Sequence, residues 1–263
     1  MTIDFHDPGN STTYTEREVD PNWKQLISQE APLTGRRVVD IGCGGGIYSR
    51  AMVELGAAEV IGVDFSQAML DGAAAYCEGF PHIRFQQGNA KLTGLESGHA
   101  AMVLERALIH HVSEAELSAC LVEASRILQP GGVLVVQDRT PEDCSLAGSD
   151  SHLRGYMFEK FPKLLEKEVS RRHRAHVVRQ HLIAAGFIQI KERKLWERRK
   201  AYTSFHEYRS DMLSRKGRSI LHGLTDDELL LLVDFIKQQI AVGHTETSII
   251  EQDRWTVWIS YKP

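Results

Sequence analysis

The chain has 263 residues, of which 42% are hydrophobic and 25% charged, and this balance predicts a folded protein rather than a disordered one. Its net charge of −4 does not favour a protein dedicated to binding nucleic acid. The four cysteines form no C-x-x-C pair, and the sequence contains neither a secretion signal nor an apolar stretch approaching ~20 residues. We therefore expect a cytoplasmic protein with no disulfide framework, no metal site and no membrane span.

The N-terminal segment, residues 1–33, begins as a polar stretch and then predicts a helix over Pro21–Ser28. Trp23 lies in this helix and is expected to pack against the core. Over Arg36–Thr140 apolar strands alternate with amphipathic helices, which is typical of right-handed β-α-β units and a mainly parallel sheet. Ligands of such sheets bind beyond the carboxyl ends of the strands, so we expect the site at one rim of the sheet.

The most informative segment is Val38–Gly46, where an apolar strand leads directly into glycines at positions 42, 44 and 46. A glycine turn between a buried strand and a helix lets a ligand approach the backbone. The dinucleotide fingerprint G-x-G-x-x-G requires a glycine at position 47, where this chain has Ile47. The turn therefore predicts a nucleotide-like ligand other than NAD.

The second strand ends in Asp64, 22 residues after Gly42. A carboxylate in this position can accept hydrogen bonds from both ribose hydroxyls of a nucleoside that lies over the sheet edge. Phe65 follows and is suited to cover an adenine ring, and Ser66 is predicted to cap the next helix. The alternative is that Asp64 is only a strand-end acid near a helix N-terminus.

Three further segments follow in a fixed order. They are the strand His82–Gln87 with Gly88-Asn89-Ala90, the strand Ala100–Glu105 with a His110-His111 loop, and Leu128-Gln129-Pro130-Gly131-Gly132 before the strand Val133–Val136. Together with the glycine turn, this set resembles the class I S-adenosylmethionine-dependent methyltransferases over residues 38–140. The first motif of that family is an acid followed by G-x-G-x-G, which here begins at Asp40. The chain is most similar to the group that includes the ubiquinone- and menaquinone-biosynthesis methyltransferases.

The resemblance implies an α/β fold with a Rossmann-like, doubly wound, mainly parallel seven-stranded sheet, an antiparallel last strand and a helical insertion. It implies S-adenosyl-L-methionine as the cofactor and S-adenosyl-L-homocysteine as the product. The residues that it places at the cofactor are Tyr14, Asp40, Gly42, Cys43, Gly44, Gly46, Asp64, Phe65, Asn89, Ala90 and Glu105. The family usually carries Gly-Asp-Ala in the third-strand loop, where this chain has Asn89. The carbonyl of Asn89 can still accept a hydrogen bond from the adenine amino group, and a turn-forming asparagine is the alternative.

Beyond this core we predict one helical region over residues 150–185, a sixth strand over Phe187–Ile190 and a last strand over Arg254–Tyr261. The predicted domains are a helical segment over the site (1–33), a cofactor-binding core (34–192), an insertion (193–253) and the last core strand (254–263). The insertion contains a capping box, Thr225–Glu228, and is expected to form a cap over the acceptor pocket or a contact in a homodimer.

Ten lysines and arginines between Arg171 and Lys200 form a basic stretch. An anionic substrate or RNA can bind such a stretch. Alternatively, the stretch is a solvated surface that Glu192 and Glu197 balance.

Methyl transfer needs an aligned nucleophile, exclusion of water and, for a hydroxyl or protonated amine acceptor, a general base. His110 or His111 can act as that base; alternatively, one of them orients the loop and the other is exposed. The predicted substrate contacts are Arg139, Tyr156 and Tyr208, of which Arg139 is suited to a carboxylate or phosphate.

The fourth-strand loop lacks the Asp/Asn-Pro-Pro-Tyr/Phe motif of amino-methylating DNA enzymes, and the sequence contains no Pro-Cys dipeptide. These absences favour a small-molecule acceptor over nucleic acid. Three alternatives stay open: a methyltransferase acting on RNA or protein, a nicotinamide-dependent oxidoreductase, and a non-catalytic S-adenosylmethionine-binding protein.

Overall fold

The computed structural model describes residues 18–241 and 248–263, which form ten α-helices and one seven-stranded sheet. The helices are α1 (Pro21–Glu30), α2 (Ile47–Glu54), α3 (Gln67–Tyr76), α4 (Glu114–Ile127), α5 (Pro141–Cys144), α6 (Leu153–Lys160), α7 (Pro162–Val169), α8 (Ala175–Ala184), α9 (Phe205–Ser214) and α10 (Asp226–Ala241). The strands are β1 (Arg37–Ile41), β2 (Glu59–Asp64), β3 (Ile83–Gln87), β4 (Ala100–Arg106), β5 (Leu128–Asp138), β6 (Ile188–Tyr202) and β7 (Ile249–Tyr261).

The strands lie in the order β3-β2-β1-β4-β5-β7-β6. The first five pair in parallel, whereas β7 lies antiparallel between β5 and β6. This confirms the predicted fold class, including the antiparallel last strand. The strand order reverses between β1 and β4, and ligands of such sheets bind at the carboxyl ends of the strands on either side of that reversal.

Helices cover both faces of the sheet with apolar side chains. On one face, Trp23 of α1 and Met52 of α2 pack against a cluster that includes Val38 of β1. On the other face, Leu121 of α4 and Leu182 of α8 belong to a second buried cluster. Trp23 is fully buried, as expected from the sequence.

A third apolar cluster lies outside the two layers of the sheet and consists of helices from two parts of the chain. Met157 of α6, Leu164 of α7, Met212 of α9 and Leu232 of α10 are all buried in it. We call these four helices, with the 3-10 helix Ser219–Gly223, the helical unit. Because α6 and α7 precede β6 while α9 and α10 follow it, the unit is assembled from segments on both sides of that strand.

Local signals in the sequence were accurate at the helix starts. Ser113 caps α4 in a capping box with Glu116, Ser66 accepts a hydrogen bond from the backbone N–H of Met69, and Thr225 and Glu228 bond to each other's backbone N–H. These contacts confirm the predicted caps.

Several element boundaries were predicted wrongly. The region 150–185 contains three helices because Pro162 begins a new one and residues 170–174 separate α7 from α8. The sixth strand continues to Tyr202 instead of ending at Ile190, since β7 pairs with it along almost its whole length. The last strand begins at Ile249 instead of Arg254, so β6 and β7 both extend into the range 193–253. No helix within residues 18–241 and 248–263 has the length and apolar character needed to cross a bilayer.

Candidate functional site

The glycine turn connects β1 to α2 at the strand-order reversal. Gly42, Gly44 and Gly46 all have positive φ angles, +73°, +51° and +79°, which glycine adopts without steric cost. A side chain at Gly42 would also collide with Leu108, since a Cβ atom there would lie 2.5 Å from its Cδ1. The turn is therefore packed directly against the loop that follows β4.

The carboxylate of Asp64 holds the end of β2 against this turn. It accepts hydrogen bonds from the backbone N–H of Gly44 at 2.9 Å and of Ser66 at 3.0 Å. Asp64 is 7% exposed, whereas the neighbouring Phe65 is 48% exposed. Asp64 thus has a structural role, as in the alternative interpretation, and it stands at the rim beside an exposed aromatic ring.

Asp40 and Cys43 are buried beneath the turn. Ser49 of α2 donates a hydrogen bond of 2.6 Å to the carboxyl of Asp40. Burial raises the pKa of Asp40 to about 6, against the effect of that hydrogen bond. Cys43 is also buried, and burial raises the pKa of its thiol well above the usual value. Both buried side chains therefore pack under the glycine turn and stabilise it.

Asn89 caps a turn at the end of β3. Its side-chain oxygen accepts hydrogen bonds from the backbone N–H groups of Lys91 and Leu92, at 2.9 and 3.0 Å. Asn89 is exposed and Ala90 is half-buried, so this turn borders the same rim as Phe65. This geometry agrees with the alternative in which Asn89 forms a turn. A ligand that donates a hydrogen bond to the side-chain oxygen of Asn89 would share that oxygen with these two backbone N–H groups.

Glu105 lies near the carboxyl end of β4, paired with Ile41 directly before the glycine turn. It is fully buried, and among the residues that the structure describes neither carboxyl oxygen has a hydrogen-bond partner. Burial raises the pKa of Glu105 to about 8. Val103, two residues earlier on the same face of β4, belongs to the buried cluster that includes Leu121 of α4, so Glu105 faces the side of the sheet that α4 covers.

His110 forms an ion-pair network with the end of β5. Its Nδ1 lies 2.8 Å from the carboxylate of Asp138, whose other oxygen Arg172 contacts. Burial alone would raise the pKa of Asp138, but His110 and Arg172 hold it well below its usual range. Burial lowers the pKa of His110, although Asp138 opposes that shift. At neutral pH the pair is therefore a carboxylate and a neutral imidazole.

His111 differs from His110 because it is exposed. The two rings lie 4.0 Å apart, and partial burial and the neighbouring His110 lower the pKa of His111. His173 fixes the same loop, with its Nε2 at 2.9 Å from the backbone oxygen of Ile109. His110 is thus held by a carboxylate, whereas His111 is open to solvent. This agrees with the alternative in which one histidine orients the loop and the other is exposed.

A stack of planar side chains lies beside this loop, and sequence reasoning missed it. The guanidinium of Arg106 at the end of β4 lies between the rings of Tyr48 and Trp255, 4.1 and 4.4 Å from their centres. Arg139 lies 4.5 Å from the centre of Trp255. Glu197 of β6 pairs with Arg106 at 2.6 Å. The sequence shows Arg106 as a basic residue directly after Glu105. It does not show the partners of Arg106, which come from distant parts of the chain.

The predicted substrate residues lie in different places. Arg139 is at the rim, paired with Asp253 at 2.6 Å. Tyr156 packs against Phe235 in the helical unit, at a ring distance of 6.4 Å. Tyr208 is fully buried in that unit. The structure thus brings Arg139 to the histidine loop and leaves both tyrosines away from it; Tyr14 lies outside the described residues.

Much of the basic stretch is neutralised by local ion pairs. On β6, Lys191 and Arg193 contact Glu30, and Lys200 contacts Asp211. These pairs correspond to the interpretation of a balanced surface, although Glu30 and Asp211 supply the charge there. Arg171 and Arg172 also form ion pairs, with Glu168 and Asp138, next to the histidine loop.

Comparison with known proteins identifies the part of the chain that carries this rim. Residues 38–132 match the family described as "Methyltransferase domain". The chain is similar to the ubiquinone biosynthesis O-methyltransferase of Methylococcus capsulatus, with 30% identity over 122 residues that make up 46% of this chain and 50% of the relative. The chain therefore spans about half the length of the curated relatives it matches.

Two solved structures share the fold over nearly the whole chain. Phosphoethanolamine N-methyltransferase 2 of Haemonchus contortus, in complex with phosphomonomethylethanolamine and S-adenosylhomocysteine, superposes with a TM-score of 0.61 at 18% identity, covering 99% of this chain and 60% of that one. The YcgJ protein of Bacillus subtilis superposes with a TM-score of 0.58 at 17% identity, covering 92% and 97%. At these identities the likeness concerns the fold.

Proposed function

Since residues 38–132 form a methyltransferase domain of the class I fold, we propose that this chain is an enzyme that transfers a methyl group from S-adenosylmethionine to a small-molecule acceptor. The observation that carries the proposal is the juxtaposition of the glycine turn, Asp64 and the histidine loop at one rim of the sheet. The names of the similar proteins support the cofactor and the reaction.

The residues at the rim fit the cofactor in charge and shape. Gly46 begins α2 without a side-chain cap, so the first N–H groups of this helix and its positive dipole end suit the carboxylate of the methionine part. Asp64 suits the ribose hydroxyls, because its carboxylate accepts hydrogen bonds and stands at the end of β2 beside the glycine turn. The exposed ring of Phe65 suits the adenine face.

The cofactor supplies a methyl carbon on a sulfonium centre, already activated for in-line attack. The protein's part is to align the acceptor, to exclude water and to take up a proton where the acceptor releases one. His110 can hold such a proton. Asp138 is acceptor-only as a carboxylate, so the Nδ1 of His110 donates to it and the lone pair on Nε2 serves as the base.

Several groups shape the acceptor side of the rim. Leu108 lies against Gly42, and Arg106 lies between Tyr48 and Trp255, so the loop after β4 separates the glycine turn from the ends of β5 and β7. We propose that the histidine and arginine side chains beside the ends of β5 and β7 contact the acceptor. The helical unit, with its helices α9 and α10, is proposed as the wall that covers the acceptor or as a dimer contact.

Calorimetric titration of the purified protein with S-adenosylhomocysteine tests the proposal, with NAD as the matched control ligand. We expect saturable binding of the first and none of the second, because Ile47 replaces the third glycine of the dinucleotide fingerprint. Binding of NAD in preference to S-adenosylhomocysteine would overturn the proposal and favour an oxidoreductase. Binding of the cofactor product with no methyl transfer to any small acceptor would favour a non-catalytic binding protein.

A further inference from the structure

An arginine cluster at the carboxyl end of β5 carries more positive than negative charge. Its ion pairs connect four guanidiniums to three carboxylates within the described residues, and both histidines in contact with it have lowered pKa values that keep them neutral. The cluster consists of Arg139, Arg154, Arg171 and Arg172 with Asp138, Glu168 and Asp253.

Glu168 is the centre of the arginine cluster. All four arginines lie within ion-pair distance of its carboxylate, which is 1% exposed. Burial alone would raise the pKa of Glu168, but the charges of Arg154, Arg172 and the other two arginines hold it far below its usual value. The same holds for Asp253, where the charge of Arg139 outweighs burial and lowers the pKa. The carboxylates are therefore ionised, and one guanidinium charge has no counterpart in the cluster.

The hydrogen-bond donors of the arginine cluster also exceed its acceptors. Four guanidiniums carry about 20 N–H donors, whereas three carboxylates offer about 12 lone-pair sites, and within the described residues Oδ1 of Asp253 is itself buried without a hydrogen-bond partner. The Nε atoms of all four arginines are buried and have no hydrogen-bond partner among the residues that the structure describes. Arg139 and Arg172 are at least nine-tenths buried, with 9% and 4% of their side chains exposed. Buried guanidiniums with unused donors are costly unless an acceptor completes them.

The arginine cluster opens on the side of the histidine loop. Arg171 is the most exposed of its members, at 30% of its side chain, and Arg154 follows at 12%. Arg171 and Arg172 both lie close enough to His111 to lower its pKa through their charges. A small anion that enters beside His111 therefore meets Arg171 first.

We propose that the arginine cluster binds an oxyanion of the methyl acceptor, a carboxylate or a phosphate monoester, and so makes this enzyme selective for acidic acceptors. An oxyanion supplies the missing negative charge and accepts bidentate hydrogen bonds from guanidinium groups. Because the cluster adjoins His110 and His111, an acceptor held there by its acidic group presents its nucleophile near the histidine loop. This inference rests on the proposed function of the rim.

Binding of small anions to the full chain, saturated with S-adenosylhomocysteine, tests the inference by calorimetry. The probes are benzoate, phenyl phosphate and the neutral benzamide, which matches benzoate in shape. We expect at least one of the two anions to bind at least tenfold more tightly than benzamide, and the preferred anion then identifies the acidic group. Equal affinity for all three probes, or no binding, would overturn the inference.

Two substitutions locate the anion. Arg171→Gln is expected to weaken anion binding at least tenfold, whereas Arg174→Gln, an exposed arginine three residues away, leaves it unchanged. If Arg171→Gln does not fold, Arg171→Lys keeps the charge and is expected to bind the anion with an intermediate affinity. An equal effect of the Arg171 and Arg174 substitutions would place the anion elsewhere and overturn the assignment. Since S-adenosylhomocysteine binding is measured in the same samples, failure of the anion site alone leaves the proposed function intact.

Discussion

The guanidinium of Arg106 lies over the indole ring of Trp255, 4.4 Å from its centre, and joins two strands that are far apart in sequence. Arg106 ends β4 and Trp255 belongs to β7, so this contact crosses β5. Arg106 also pairs with Glu197 of β6, which is only about 5% exposed. One side chain thus links three strands at the rim where the acceptor is proposed to bind.

Substitution of Arg106 by Met is expected to lower the free energy of unfolding by roughly 3–5 kcal/mol, because it leaves Glu197 as a buried carboxylate without its cation. The double variant with Glu197→Gln is expected to recover a large part of that loss, and urea denaturation measures both. Lys24→Met is the matched control, since its ion pair with Glu54 is exposed and contributes less than about 1 kcal/mol. Purely additive effects of the two substitutions would contradict the pairing.

Asp64→Ala is expected to weaken the binding of S-adenosylhomocysteine about 10- to 100-fold, because charge-assisted hydrogen bonds to the ribose contribute roughly 1.5–3 kcal/mol. Asp71→Ala removes an exposed carboxylate from the next helix and serves as the control. Because Asp64 also binds the backbone of Gly44 and Ser66, the thermal unfolding of each variant is measured beside its affinity. Unchanged affinity in a folded Asp64→Ala protein would show that the ribose is held elsewhere.

Glu105 is expected to make the protein less stable as the pH rises. Its native pKa of about 8 exceeds the usual value, so the folded state keeps its proton while the unfolded state releases it. Its contribution is fully present below about pH 4.3 and is lost progressively up to pH 8. The stability gained by Glu105→Gln is therefore expected to grow by about 3–4 kcal/mol between pH 5 and pH 8. Glu166→Gln, at an exposed position, serves as the control.

His110 is expected to titrate below pH 6.5, since its burial outweighs the charge of Asp138. The stability that the neutral ring contributes is present above pH 6.5 and is lost as the pH falls through the native pKa. Asp138→Asn removes the charge that favours the imidazolium, so we expect the pKa of His110 to fall further in that variant. Proton NMR of the ring protons measures the shift, with Asp227→Asn as an exposed control. A rise in the pKa would contradict the geometry.

The buried pair of Arg218 and Glu251 is expected to stabilise the helical unit more than the sheet. Two hydrogen bonds of 2.7 Å join them, and both side chains are at most 2% exposed. Glu251→Gln removes the charge that Arg218 requires, which costs several kcal/mol in a buried pair. Hydrogen exchange is expected to accelerate in α9 and α10 while β1 and β4 keep their protection. Equal acceleration in all four elements would show that the unit does not open separately.

The sequence identified those features that depend on neighbours within a few residues. The positive φ angles at Gly42, Gly44 and Gly46 and the cap at Ser113 follow from local chemistry, and the parallel pairing of most strands followed from the alternation of strands and helices. Contacts between distant residues were not predictable. Arg106 and Glu197 are 91 residues apart, because pairing between them depends on the register of β6 against β7 and on the packing of β7 against β5.

Glu105 shows that the position of a strand does not by itself determine the surroundings of its side chains. The sequence located β4 accurately, and a polar residue at its end was assigned to the rim for that reason. Successive side chains of a strand point to opposite faces, so Glu105 enters the layer beneath α4 while Arg106 faces the stack with Trp255.

The position of β7 between β5 and β6 has a consequence for synthesis on the ribosome. Among the described strands, β6 pairs only with β7, and two groups of the rim, Asp253 and Trp255, are carried by β7 itself. While residues 1–248 alone have left the ribosome, β5 therefore exposes an unpaired edge and β6 has no sheet partner. The nascent chain at that stage can form the glycine turn, whereas Arg139 acquires the carboxylate of Asp253 only when β7 is added. The addition of β7 late in synthesis therefore completes both the sheet and the proposed acceptor side of the rim.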